Sequence, residues 1–191
     1  MKEIILASAS PRRAELLKRA GFNFRVIPSQ LEEDIKICRS AEELVRYLSY
    51  EKAMSVARRM EDDSLVIGAD TVVIKNSIMG KPENEKHAFE MLKSLQNGWH
   101  EVITGISVVD SVSLSGEVDC EITRVKMREL SDETIWSYIN TGEPMDKAGA
   151  YGIQGIGAML IEKIEGCYFN VVGLPMARLC MMMEKFGVKV L

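Results

Sequence analysis

The sequence predicts an α/β domain built on a mixed β-sheet flanked by helices. Two patterns carry that reading. Strand-like and helix-like segments alternate from Glu3 to Leu95, and Val102–Met127 then reads as antiparallel strands around a turn near Ser115-Gly116. A chain of 191 residues fits one domain, 1–191, at about 100–200 residues per domain. No repeat, low-complexity tract or Pro/Gly/Ser linker marks an internal boundary.

Residues 3–7, with the apolar centre Ile4-Ile5-Leu6, read as a buried strand. A helix follows, with Ser10 as N-cap, Pro11 at the first helical position and Gly21 at its end. Phe24–Pro28 reads as a second strand. Ser40 and Glu43 form a capping box for a helix reaching Met60. Leu65–Ile74 is a long apolar strand broken by Gly68 and Asp70, and Glu85–Leu95 is a helix stopped near Asn97-Gly98. A helix from Ser131 ends by Gly142, Met159–Ile164 is a strand, and Pro175 starts a last helix that stops at Gly187.

Composition excludes several functions. With 28 acidic against 24 basic residues the net charge is −4, so a whole-domain basic footprint for nucleic acid is missing. No run of about 18 apolar residues offers a membrane span. The short apolar run after Met1-Lys2-Glu3 is below the roughly 7–15 residues of an export signal. Cys38, Cys120, Cys167 and Cys180 form no C-x-x-C pair, and with only His87 and His100 no zinc spacing exists. Reduced structural thiols in the cytoplasm are expected. Met181-Met182-Met183 reads as adaptable core packing.

Six segments have the chemistry of a site. Ser8-Ala9-Ser10-Pro11-Arg12-Arg13 lies between a strand and a helix, where hydroxyls, guanidiniums and unpaired N–H groups suit an anion. The alternative is a capped helix with solvated arginines. Asp70 stands in Leu65–Ile74, where an ionised carboxylate is costly unless it meets a metal, a cation or several donors. It is otherwise a water-exposed residue at a bulge or edge beside Gly68. Glu32-Glu33-Asp34 is a second acidic cluster, a metal-binding candidate or a solvated loop. Lys52 falls on the apolar arc of Ala41, Leu44, Val45, Leu48 and Val56, either snorkelling or facing a carboxylate or phosphate. Lys81, held extended by Pro82, is a weaker candidate. Asp146–Gly157 carries four glycines that would let backbone approach a ligand, and its Gln154 amide could read a base edge. The order of Gly152, Gly155 and Gly157 is not a dinucleotide fingerprint, and no Walker-type loop exists.

Taken together, the segments resemble the Maf family of nucleoside triphosphate pyrophosphatases. The matching pieces, in family order, are Ser8-x-Ser10-Pro11-Arg12-Arg13, Gly68-Ala69-Asp70-Thr71-Val72-Val73, Gly80-Lys81-Pro82, Asp146–Gly155 and Asn170-Val171-Val172-Gly173-Leu174-Pro175. Phe169 stands where tyrosine is common. The resemblance implies an inosine triphosphatase-like fold with a cleft between two lobes, a homodimer, and a divalent cation (Mg2+ or Mn2+). It implies hydrolysis of a nucleoside triphosphate to the monophosphate and pyrophosphate, with Asp70 as proton acceptor. Glu33, Lys52 and Lys81 would line the same site; Asp70 would be either that base or a metal ligand together with Glu33, with Glu32 the alternative to Glu33. Ser8 and Arg13 match the phosphate-binding loop, and Arg12, Thr71 and Gln154 match positions tied to substrate choice. The D-K-A-G-A-Y-G-I-Q-G segment resembles the branch acting on dTTP and UTP, including modified pyrimidine nucleotides. 7-Methyl-GTP, an inosine-type triphosphate, or a division regulator without turnover are the other readings, since the family is also linked to septum formation.

Overall fold

The computed structural model describes residues 2–31 and 40–189. Seven strands form one mixed sheet: β1 (Glu3–Leu6), β2 (Phe24–Val26), β3 (Ser64–Ile74), β4 (Ile78–Met79), β5 (Gly98–Asp110), β6 (Gly116–Met127) and β7 (Ile161–Glu165). Their order is β2-β1-β3-β5-β6-β7, with β4 paired to β3. β1 is parallel to both β2 and β3, whereas β3–β4 and β6–β7 are antiparallel. The helices are α1 (Pro11–Arg19), α2 (Ala41–Ala57), α3 (Glu85–Leu95), α4 (Asp132–Ile139), α5 (Tyr168–Val172) and α6 (Met176–Glu184). The mixed α/β architecture expected from the sequence is the one observed.

The chain divides into two compact units. The first takes in the described residues of Met1–Asp70, Thr104–Glu121 and Gly173–Leu191; the second takes in Thr71–Ile103 and Ile122–Val172. The first has a core of Ile5, Ala7, Ala53, Met54, Val56, Ala57, Val66 and Val109. The second buries Ala88, Leu92 and Leu95 of α3 with Ile135, Tyr138 and Ile139 of α4 and with Val125 and Met127 of β6.

Caps fall where short polar side chains precede apolar periodicity. Ser40 accepts from Glu43 N at 3.1 Å, Asn84 from His87 N at 2.9 Å and Ser131 from Thr134 N at 3.1 Å. Ser10 precedes α1 without a side-chain cap; instead its N–H donates to Ser8 Oγ at 3.3 Å. Met182 and Met183 are buried in α6 while Met181 is 57% exposed, so the methionine run packs on one face.

One expectation fails instructively. β3 is not broken at Gly68 or Asp70 but runs unbroken for 11 residues. Gly68 is there for proximity. A Cβ on it would sit 2.1 Å from Ser49 O and 2.9 Å from Ala53 N, so α2 lies directly on the strand. Gly105 of β5 repeats the device, since its Cβ would meet Val45 O at 2.1 Å. Beside this seam the buried hydroxyls of Ser49 and Ser107 bond at 2.9 Å. Sequence also gives no sign of β4 or α5. β4 and α5 are two and five residues long, too short for hydrophobic periodicity to register.

Candidate active site

In the first unit, four of the residues singled out by sequence form two bonded pairs, Ser8 with Arg13 and Lys52 with Asp70. Ser8 follows the end of β1 and is buried. Arg13, in the first turn of α1, turns its guanidinium back to that residue. Nη1 donates to Ser8 Oγ at 2.9 Å and to Ala69 O at 2.9 Å, and Nε donates to Gly173 O at 2.8 Å. A planar fork is suited to several acceptors at fixed angles, which a lysine ammonium could not match. The fork holds the β1–α1 connection beside β3 and the segment that leads into α6.

Asp70 is the next residue along β3 after Ala69 and is 8% exposed, so the water-exposed alternative is excluded. Its partner is the helical lysine on the apolar arc: Lys52 Nζ donates to Asp70 Oδ1 at 2.6 Å. Both side chains are largely removed from solvent, at 14% and 12% exposure. The lysine reaches inward because its neighbours Ala53 and Ser49 lie against Gly68, two residues before Asp70. Removing either member would strand the other as an uncompensated buried charge. Arg12 sits half-buried on α1 next to Arg13. Glu33 and its neighbours Glu32 and Asp34 lie outside the described residues.

This group holds a carboxylate, Asp70, that can accept a proton, and two cationic side chains, Arg13 and Lys52. Guanidinium and ammonium groups are both suited to phosphoryl oxygens. Among the described residues no cluster of three His, Cys, Asp or Glu side chains forms a metal cage. Magnesium is commonly held by one or two carboxylates together with substrate phosphates. The buried Asp70 carboxylate is of the type that such a site uses.

The other three predicted residues, Thr71, Lys81 and Gln154, belong to the second unit. Thr71 is half-buried on β3, Lys81 is exposed, and Gln154 is half-buried. The Gly80-Lys81-Pro82 turn is tied to the glycine-rich segment by Gly149 N, which donates to Gly80 O at 3.0 Å. Gly149 has φ +68, and a Cβ there would meet Val73 Cγ2 at 2.9 Å. The segment itself is a string of 3-10 turns at Glu143–Asp146, Ala148–Ala150 and Gly155–Leu160.

Sequence reasoning missed the side chains that organise this segment. Tyr138 of α4 donates its hydroxyl to Glu143 Oε1 at 3.0 Å. The same carboxylate accepts Gly157 N at Oε1 and Ile156 N at Oε2, each at 3.0 Å. Burial works to raise the Glu143 carboxyl, but the N–H groups of Gly157 and Ile156 and the Tyr138 hydroxyl outweigh it and hold it below the usual range. Lys147 donates to Glu143 O at 2.5 Å and to Asp146 Oδ1 at 2.7 Å. The signal available in sequence was Glu143-Pro144 after Gly142, a turn initiator whose acidic side chain has backbone donors as partners. Asn170, fully buried, donates from Nδ2 to Val102 O and to Thr123 Oγ1, both at 2.9 Å, and so anchors α5 to the strands.

The family model described as Maf-like protein matches residues 3–186. A dTTP/UTP pyrophosphatase of Acetivibrio thermocellus is 52% identical over 197 aligned positions, covering 100% of this chain and 98% of the relative. A dTTP/UTP pyrophosphatase of Alkaliphilus oremlandii is 52% identical over 179 positions, covering 94% and 93%. Among solved structures, a HAM1 protein from Coxiella burnetii superposes with a TM-score of 0.52 at 12% identity, covering 84% of this chain and 81% of its own. At that identity the likeness concerns the fold alone.

Proposed function

The chain belongs to the Maf-like protein family, and from that premise we propose that it hydrolyses dTTP and UTP to the monophosphate and pyrophosphate. The observation that carries the proposal is the buried Asp70–Lys52 pair, with Arg13 anchored on the carbonyl of the preceding residue. Asp70 either takes a proton from the water that attacks the α-phosphorus or serves as a ligand of the divalent cation. Lys52 keeps that carboxylate oriented and, with Arg13 and Lys81, offsets the charge of the triphosphate and the departing pyrophosphate. Ser8 and the uncapped start of α1 offer directional donors to phosphate oxygens. Arg12, Thr71 and Gln154 select the substrate, Gln154 through the paired donor and acceptor of its amide. A divalent cation, held by Asp70 and Glu33 and by the substrate's phosphates, would supply Lewis-acid stabilisation of the phosphoryl oxygens.

The same reading carries a homodimer working in the cytoplasm on small nucleotides, which supports pool cleansing or septum control. Among the described residues no helix is long and apolar enough to cross a membrane. Light scattering at working concentration tests the dimer. The activity is tested by offering a panel of pyrimidine and purine triphosphates with Mg2+ and measuring both orthophosphate and pyrophosphate. One pyrophosphate per dTTP or UTP consumed, over many turnovers, is expected. Orthophosphate as product, a purine preference, or binding without turnover would overturn the proposal.

A further inference from the structure

Gln154 lies just before the short 3-10 turn Gly155–Leu160, outside any α-helix or strand. Its two flanks are nevertheless tethered, and to the same place. On one side Gly152 N donates to the Tyr138 hydroxyl oxygen at 3.3 Å. On the other, Ile156 N and Gly157 N donate to the two carboxylate oxygens of Glu143 at 3.0 Å each. The tethers are joined, because the Tyr138 hydroxyl donates to Glu143 Oε1. The turn is also closed down on this pair. A Cβ on Gly157 would lie 2.6 Å from the Tyr138 hydroxyl and 2.3 Å from Gly152 O, and one on Gly155 would lie 2.8 Å from Glu143 Oε2.

Tyr151 and Leu160 on either side are in the core, but Ile156 of the turn itself is 43% exposed, so within the turn little apolar surface is gained by fixing it. The effect of the bonding falls on the residue between the tethers. A glutamine amide meets the edge of a uracil or thymine with both its donor and its acceptor only when the backbone beneath it is held at the right distance and angle.

We propose that Tyr138 and Glu143 are positioning residues for nucleobase selection, clamping residues 152–157 so that Gln154 is presented in one place. The inference rests on the assignment of Gln154 to the base, and the experiment separates the two.

Catalytic efficiency for dTTP and for dCTP is measured in Gln154→Ala, Glu143→Gln and Tyr138→Phe, with thermal melting of each. Gln154→Ala is expected to lower the dTTP-to-dCTP ratio of kcat/KM about tenfold. Glu143→Gln and Tyr138→Phe are expected to lower it about fivefold, through KM for dTTP, with kcat changed less than about twofold. Tyr138→Phe keeps the shape of the buried ring, so it decides the matter if Glu143→Gln does not fold. A uniform fall for both nucleotides, or a lower melting temperature with the ratio intact, marks a purely structural clamp and overturns the inference. If Gln154→Ala lowers the ratio while both supporting variants leave it alone, only the positioning inference falls. A ratio untouched by Gln154→Ala removes the base contact and the inference with it.

Discussion

Around Asp70, polar side chains from regular elements meet each other in the interior: a helix lysine on a strand carboxylate, a helix arginine on a serine and two carbonyls. Around Gln154 the bonds of the clamp form no ion pair and converge on backbone N–H groups. There side chains hold backbone, with one tyrosine and one glutamate receiving the N–H groups of an irregular turn. The first arrangement keeps charge at a defined depth, and its failure is a failure of charge. The second keeps an unsupported turn in one shape, and its failure is a failure of aim. Chemistry and choice of substrate should therefore respond to different classes of substitution.

The sharpest test of that contrast is Asp70→Asn, which preserves shape and removes the base. It is expected to lower kcat about a thousandfold, measured as pyrophosphate release, with the dTTP-to-dCTP ratio unchanged. A shift in the ratio without a loss of kcat would break the division of labour. Lys52→Met removes the partner charge and leaves Asp70 buried. It is expected to lower kcat about a hundredfold and to cost about 3 kcal/mol in urea unfolding.

A third prediction concerns the second unit, where His100 lies buried with Nε2 2.6 Å from the Tyr151 hydroxyl oxygen. Burial, aided by the nearby Lys75 charge, lowers the imidazole from 6.5 to about 4. The unfolded chain thus takes up the proton first. Stability on this account is constant above pH 6.5 and falls through the window down to 4, by about 3 kcal/mol in all. Equilibrium unfolding at pH 7 and pH 4.5 measures the slope, and His100→Gln should flatten it. A wild-type slope that survives the substitution assigns the effect elsewhere. The smallest expected effect is that of Gly68→Ala, which forces α2 off β3. It should cost about 2 kcal/mol, with kcat falling because Lys52 moves with its helix.

The two regions differ also in how much of them the sequence disclosed. Asp70 and Lys52 were visible as charges at positions where hydrophobic periodicity demands apolar residues, a contradiction that only a partner resolves. The capping box at Ser40 and the alternation of elements were equally plain. Arg13 was visible as a cation near a helix start, but two of its acceptors are the carbonyls of Ala69 and Gly173, which every residue carries and no composition reveals. Glu143 and Tyr138 were silent for the same reason, since the donors they receive are mostly backbone amides. Gly68 was misread because a glycine in a strand signals both weakness and close approach. The distance to Ser49 O, not the residue type, decides between them.

That close approach has a consequence for how the protein is lost as well as how it works. With Gly68 and Gly105 letting α2 rest backbone-to-backbone on two strands, the helix has no slack in which to slide or rock. Lys52 cannot drift from Asp70 while the surrounding core stays intact. Inactivation by heat or denaturant should therefore coincide with global unfolding and not precede it as a local loosening.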